Sequence, residues 1–195
     1  MQRIIDRQNF LKEEGIPLDA TVFLSVGELH ERKNHRTAIK AFAGLKYKNI
    51  YYLIAGKGTL KEEYDELIRS THSENNIRLL GYRADTTHLY EVVDCDIHPS
   101  VREGLGIAPL EAMACGLPMI TADINGMKDY TKDGYTGYCV DPRSIEEIQD
   151  AVKKMSSDPV FRMQCGKNCM EAVKPYDIRN TSRIMSELYS EFEKE

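Results

Sequence analysis

The sequence predicts an α/β fold, a parallel sheet with helices on both faces and a helical C-terminal extension. Three observations carry this expectation. Short apolar, β-branched runs alternate with amphipathic segments from Thr21 onward, several of those runs end in glycine-bearing turns, and after Ser144 only helix-period patterns remain. Strands that alternate with helices join through right-handed crossovers, which sets the strands parallel and the helices above and below them.

Each element has a local reason. A polar helix over Arg3 to Glu14 is closed by Gly15 and Pro17. "TVFLSV", Thr21 to Val26, is apolar with little alternation, as a strand buried on both faces should be. The helix "HRTAIKAFAGL" follows a loop; then come strand "IYYLIAG" with helix "LKEEYDELIRS", strand "IRLLG" with helix "TTHLYEVV", and strand "CDIHPS" with helix "APLEAMAC". A strand "PMITA" leads to a short helical piece near Met127 to Thr131 and an extended "GYCVD". Beyond Ser144, one helical face carries Ile145, Ile148, Val152 and Met155 and another Ile184, Leu188 and Phe192, with Asp158-Pro159 and Lys174-Pro175 as punctuation. The whole reads as a Rossmann-like layered sandwich.

At 195 residues the chain can bury a full core, and one domain with a helical appendage is expected. Lys and Arg number 26 against 31 Asp and Glu, a net charge of -5, and the cations are scattered, which argues against a nucleic-acid partner. The cysteines (Cys95, Cys115, Cys139, Cys165, Cys169) show no metal-type spacing, and an odd number without a signal peptide points to a reducing cytoplasm. Cys165 and Cys169 read as small buried side chains of a helix. No run approaches the roughly 18 apolar residues that span a bilayer, so a soluble, cytoplasmic protein is expected.

In an open parallel sheet, ligands sit beyond the carboxyl ends of the strands, where glycine-rich turns lead into helix N-termini. Three turns qualify: "GELHERKNH" after the first strand, "GKGTL" after the second and "REGLGIAP" after the fourth. Gly56-Lys57-Gly58 alone is a weak signal, since a tight turn needs no ligand. The third turn says more: Gly104 and Gly106 let backbone approach a ligand, and the helix that follows, with Pro109 in its first turn, aims its positive end at the loop. It also lies between Glu103 and Glu111. Eight helical residues would separate those two by about 12 Å, too far for a glycosidase pair that flanks one bond at roughly 5 to 9.5 Å. They suit the two ends of an elongated ligand, with an anion on the helix N-terminus and hydroxyls at each carboxylate, which describes a nucleoside diphosphate sugar.

With Glu103 and Glu111 set inside "PSVREGLGIAPLEAMACGLPMITADINGMKDYTKDGYTGYCVDP", the sequence resembles the donor site of family 4 (group 1) glycosyltransferases of the two-domain GT-B fold. The resemblance runs from about Val22 to the last helix. It implies retaining transfer from a nucleotide sugar, UDP-linked by preference, with no bound metal or other cofactor. It also implies roles: Glu103 for the donor sugar hydroxyls, the Gly104, Leu105, Gly106 and Ile107 backbone for sugar and diphosphate, Glu111 for the ribose, and Lys33, beyond Gly27, for the diphosphate. Tyr82 and Arg83 would lie near the base. Glu28 stands where the family commonly has an arginine, which puts one phosphate-binding cation in question. Only the C-terminal, donor-binding half of that architecture is matched, so a sugar, lipid-linked or other acceptor would be held by an N-terminal half, and this chain would bind donor without transferring. The expected division is an N-terminal helix and linker (1–20), a nucleotide-sugar-binding domain (21–157) and C-terminal helices (158–195) that pack on it and toward that half.

Two rivals stand beside this reading. Asp94-Cys95-Asp96 has the Asp-x-Asp form by which metal-dependent sugar transferases hold a divalent ion, although its place between helix and strand suits a structural pair. A non-catalytic nucleotide-binding module could use the same glycines. Phosphorylases and epimerases of similar architecture are lesser options. For His30, His35 and His98, capping or packing roles are expected.

Overall fold

The computed structural model describes residues 2–45, 47–124 and 126–192. Among them, six strands form one parallel sheet: β1 (Thr21–Val26), β2 (Ile50–Ala55), β3 (Ile77–Gly81), β4 (Cys95–His98), β5 (Met119–Ala122) and β6 (Gly137–Val140), in the order β3-β2-β1-β4-β5-β6. The chain winds outward from β1 in one direction and then returns to build the other side from β4. Between β1 and β4 the order reverses, which opens a crevice at the carboxyl ends of the strands.

The strands are apolar on both faces because both faces are covered. Val22 and Leu24 of β1 join one core with Phe10 and Leu11 of α1 (Gln2–Glu13), Leu89 and Tyr90 of α4 (Thr86–Val92) and Ala112 and Met113 of α5 (Ile107–Ala114). Phe23 points the other way, into a second core with Ile39 and Phe42 of α2 (His35–Ala43), Tyr64 and Ile68 of α3 (Lys61–Ser70) and Ile148, Val152 and Met155 of α6 (Ile145–Ser157). Ser144 caps α6 by accepting from the Glu147 N–H at 3.1 Å, and Asp158 caps α7 (Pro159–Ala172) by accepting from the Phe161 N–H at 2.8 Å. The Asp158 cap, with Pro159 in the first position of α7, explains why α6 and α7 meet there without a loop.

Three expectations change. The helical piece near 127–131 is a set of turns: the Thr131 N–H reaches the Met127 carbonyl at 2.9 Å, but the buried Met127 and Tyr130 anchor the segment to the core before a helix can propagate. Ile145, the first residue of α6, is 37% exposed, while Ile148, Val152 and Met155 on the following turns are buried. Ile184, Leu188 and Phe192 do share a helix, α8 (Ile178–Phe192), but none of its residues is buried. Residues 193–195 of the expected C-terminal segment lie outside the described residues.

Candidate functional site

The crevice between β1 and β4 is built from loops that hold one another. After β1, residues 31–33 form a single 3-10 turn, and Asn34 follows in the left-handed region at φ 54°. From there its amide donates to the carbonyls of Pro99 at 3.0 Å and Pro142 at 2.6 Å, while the Val101 N–H donates to the Arg32 carbonyl at 2.9 Å. The first and fourth loops are therefore one rigid wall. The first and second loops touch backbone to backbone: a Cβ on Gly56 would lie 1.8 Å from the Gly27 carbonyl oxygen, and one on Gly58 2.3 Å from that of Leu29. Only glycine fits at either place.

This packing brings Lys33 and Glu103, 70 residues apart, into contact. The Lys33 stem runs along Gly27, and its ammonium donates to both Glu103 oxygens, at 3.0 and 3.1 Å. Both side chains are about nine-tenths buried, at 10% and 8% exposure. Beyond Glu103 the chain is open. A side chain at Gly104 would meet nothing within 4 Å on its Cβ side, Leu105 is held by the Tyr130 hydroxyl donating to its carbonyl at 2.7 Å, and Gly106 turns the backbone at φ 74° into α5. Among the described residues no side chain caps α5, and its first N–H groups face the loop. A positive helix end, a buried lysine and a carboxylate thus converge on one spot, suited to a diphosphate with hydroxyls attached. Glu111 sits one turn further along α5 than its first turn, exposed, while Ile107 exposes 71% of its surface.

A cavity of about 540 Å³ adjoins this spot and is lined by Gly27, Glu28, Gly56, Lys57, Tyr82, Arg83 and Thr86, among others. It is large enough for a nucleoside. Tyr82 exposes 69% of its surface, with the Lys57 ammonium 5.2 Å from the ring centroid. Arg83 forks onto Asp85 at 2.7 and 2.6 Å, and this pairing holds the Asp85 carboxyl down to about 2. A larger cavity, about 780 Å³, opens at the amino ends of β1 and β2, where Lys153 and Lys154 stand by the last residues of α6. Lys153 there is paired with Asp150 at 3.1 Å, and the Lys154 ammonium stands 5.4 Å from the Tyr138 ring centroid.

Behind Lys33 lies a buried polar group. His98 Nε2 and Asp96 Oδ2 approach to 2.9 Å without hydrogen-bond alignment, and both residues are buried. Burial pushes the Asp96 carboxyl up, with His98 and Lys33 opposing. His35 is drawn down to about 3, first by burial and then by the charges of His98 and Lys33. It packs edge-on to Tyr64, whereas His30 accepts from the Arg32 N–H at 3.3 Å.

Asp94 and Asp96 do not form a metal pair. The Asp94 carboxylate takes Arg7 and the Val22 N–H, each at 2.8 Å, at the amino end of the sheet, while Asp96 is enclosed inside it. Residues two apart in a strand share a face, but Asp94 precedes β4 and its carboxylate is taken up by Arg7 and the Val22 N–H of β1 instead. Sequence reasoning missed Arg32, whose guanidinium lies 3.6 Å from Glu103, and Gly126, whose backbone rests on that of Gly104. Adjacency to Lys33 was a signal for the former. The latter is a lone glycine with no local sign of its partner.

Residues 6–171 match the family described as Glycosyl transferases group 1. The chain belongs to the group 1 glycosyltransferases. It is 28% identical over 190 residues to the D-inositol 3-phosphate glycosyltransferase of Corynebacterium glutamicum, covering 92% of this chain and 46% of that relative. The fold matches HepE of Anabaena, solved in complex with UDP-glucose, with a TM-score of 0.87 at 22% identity, over 95% of this chain and 52% of that one. It also matches the C-terminal domain of the group 1 family protein LpcC of Francisella tularensis, with a TM-score of 0.75 at 24% identity, over 86% of this chain and 90% of that one. This group 1 chain spans about half the length of the curated relatives it matches, 50% and 46% of the first two. Among its described residues, no helix is long and apolar enough to cross a membrane.

Proposed function

We propose that the chain is the donor-binding half of a retaining glycosyltransferase, which holds a UDP-linked sugar for transfer to an acceptor bound by a second half. The Lys33–Glu103 pair beside the uncapped start of α5 carries this reading. Lys33 and the N–H groups from 104–107 take the diphosphate, so that charge developing on the departing phosphate meets donors already in place. Glu103 keeps lone pairs beyond those given to Lys33, and they accept from the sugar hydroxyls. Glu111 accepts from the ribose. The base enters the 540 Å³ cavity by Gly27 and meets Tyr82 and Arg83. The UDP-glucose bound by HepE supports the choice of nucleotide. The exposed apolar face of α8 suits burial against the second half. The buried thiols of Cys95, Cys165 and Cys169 suit a reducing cytoplasm.

The test is a thermal-shift titration of the chain with uridine, adenosine, guanosine and thymidine diphosphates and their sugars, with and without chelator. Stabilisation by UDP and UDP-sugars that survives chelator, and that Lys33→Ala abolishes, is expected. No stabilisation by any nucleotide would overturn the reading. A chain that binds donor but never supports transfer, even with its second half, would instead be a nucleotide-binding module.

A further inference from the structure

The first loop carries a charge arrangement that the donor site leaves unused. Glu28 follows Gly27 directly and lines the cavity, so an anion settling there meets a carboxylate. That carboxylate has a partner in Arg32, whose two terminal nitrogens lie 3.4 Å from Glu28 and 3.6 Å from Glu103. Both separations exceed the usual hydrogen-bond length of about 2.9 Å. The other cations around the site are more firmly engaged. Lys33 is held on both oxygens of Glu103, Arg83 on both oxygens of Asp85, and the Lys57 ammonium stands over the Tyr82 ring.

Arg32 differs in exposure as well. Its side chain is 38% exposed against 10% for Lys33. A guanidinium offers five donors in a planar fork, and two long contacts leave most of them unspent. The backbone beneath it is fixed by the Val101 N–H on its carbonyl and by the His30 ring on its own N–H. The group is therefore anchored at its base, loosely held at its tip, and adjacent to the carboxylate assigned to the donor sugar.

We propose that Arg32 is a second cation for the donor diphosphate, and that Glu28 is a positioning residue that holds its guanidinium at the mouth of the site until phosphate replaces the carboxylate. Exposed pairs of this kind contribute little, so the exchange is easily driven by a diphosphate that carries two negative charges and offers better fork geometry. Glu28 then has a part to play in place of a direct phosphate contact. This inference rests on the donor-site reading.

The experiment measures binding of the tightest nucleoside diphosphate from the panel, and of its monophosphate, to the wild type, Arg32→Ala, Arg32→Lys, Glu28→Gln and the Glu28→Gln/Arg32→Ala double variant. Arg32→Ala should weaken the diphosphate about tenfold, near 1.4 kcal/mol, and the monophosphate less than about threefold, with partial recovery in Arg32→Lys. Glu28→Gln should change diphosphate affinity in the wild-type background and not in the Arg32→Ala background. Thermal unfolding without ligand, unchanged in each variant, separates these effects from loss of fold. Equal losses of mono- and diphosphate, or no loss, overturn the role of Arg32. A Glu28→Gln effect of the same size in both backgrounds shows a bare charge and overturns the positioning role. If the wild type binds no nucleotide, the donor-site reading falls and takes this inference with it.

Discussion

Because Glu103 holds the Lys33 ammonium on both its oxygens, removing it does more than delete the acceptor proposed for the sugar. Glu103→Ala should free the lysine, so affinity for bare nucleoside diphosphate is retained or raised while the preference for the sugar-bearing form falls. Glu111→Ala should instead weaken both ligands by about 1 to 3 kcal/mol, the scale of hydrogen bonds to a charged group. Isothermal titration of both variants with UDP and a UDP-sugar checks the contrast, and equal losses for bare UDP would contradict it. His35 makes a separate prediction. With its pKa drawn down to about 3, the folded chain refuses a proton that the unfolded chain accepts as pH falls through the ordinary value near 6.5. Its contribution is therefore complete above that value and is lost progressively toward pH 3. Asp96, shifted up, acts in the opposite sense, losing stability as pH rises above the usual carboxylate range. Comparison with His35→Gln isolates the histidine: between pH 7.5 and 5.5 the wild type should lose about 1 kcal/mol more than the variant in urea unfolding. Parallel losses would show that His35 does not titrate in this way.

At the scale of elements, the loops are fixed by contacts that no periodicity announces. A Cβ on Gly126 would lie 1.7 Å from the Gly104 carbonyl oxygen, at a φ of 90° that disfavours side chains. Gly126→Ala should push the 103–106 loop outward, cost about 1 to 3 kcal/mol in stability and weaken nucleotide binding, as melting and titration would show. Unchanged binding would mean that the loop adjusts freely. The strands were legible in the sequence because both faces are buried, which turns β1 and β2 into unbroken apolar runs, and the helices because one face of each is apolar. The position of Glu103, Gly104 and Gly106 before a helix was legible for the same local reason. The Lys33–Glu103 contact was not, since it depends on the strand order that sets β1 beside β4. Residues 127–131 carried a helical pattern, but Met127 and Tyr130 are spent on the core and on the Leu105 carbonyl instead.

For the molecule as a whole, both cores close without α8, whose residues are all at least partly exposed. A chain ending after Tyr176 should therefore fold, with a stability within about 0.5 kcal/mol of the original, the range of surface changes. A collapse of cooperative unfolding would show that α8 belongs to the core. The full chain should bind donor and yet not transfer sugar, because positioning an acceptor against the anomeric carbon accounts for about 7 to 11 kcal/mol of barrier reduction and needs a second wall. Saturable transfer by the chain alone, measured with a donor panel and mixed acceptors, would contradict this.

The contact between Gly27 and Gly56 divides the site into a part that cannot drift and a part that can. At the end proposed for the phosphate, backbone rests on backbone and any side chain at Gly56 or Gly58 would collide. At the other end, Gly81 has open space around it and Tyr82 and Arg83 lie on the surface of the cavity. A library randomised at 82–85 should return many folded members with altered nucleobase preference, whereas one randomised at 56 and 58 should return glycine. On the proposed donor-site reading, descendants of this chain would trade one nucleotide for another while inheriting the phosphate-holding backbone intact.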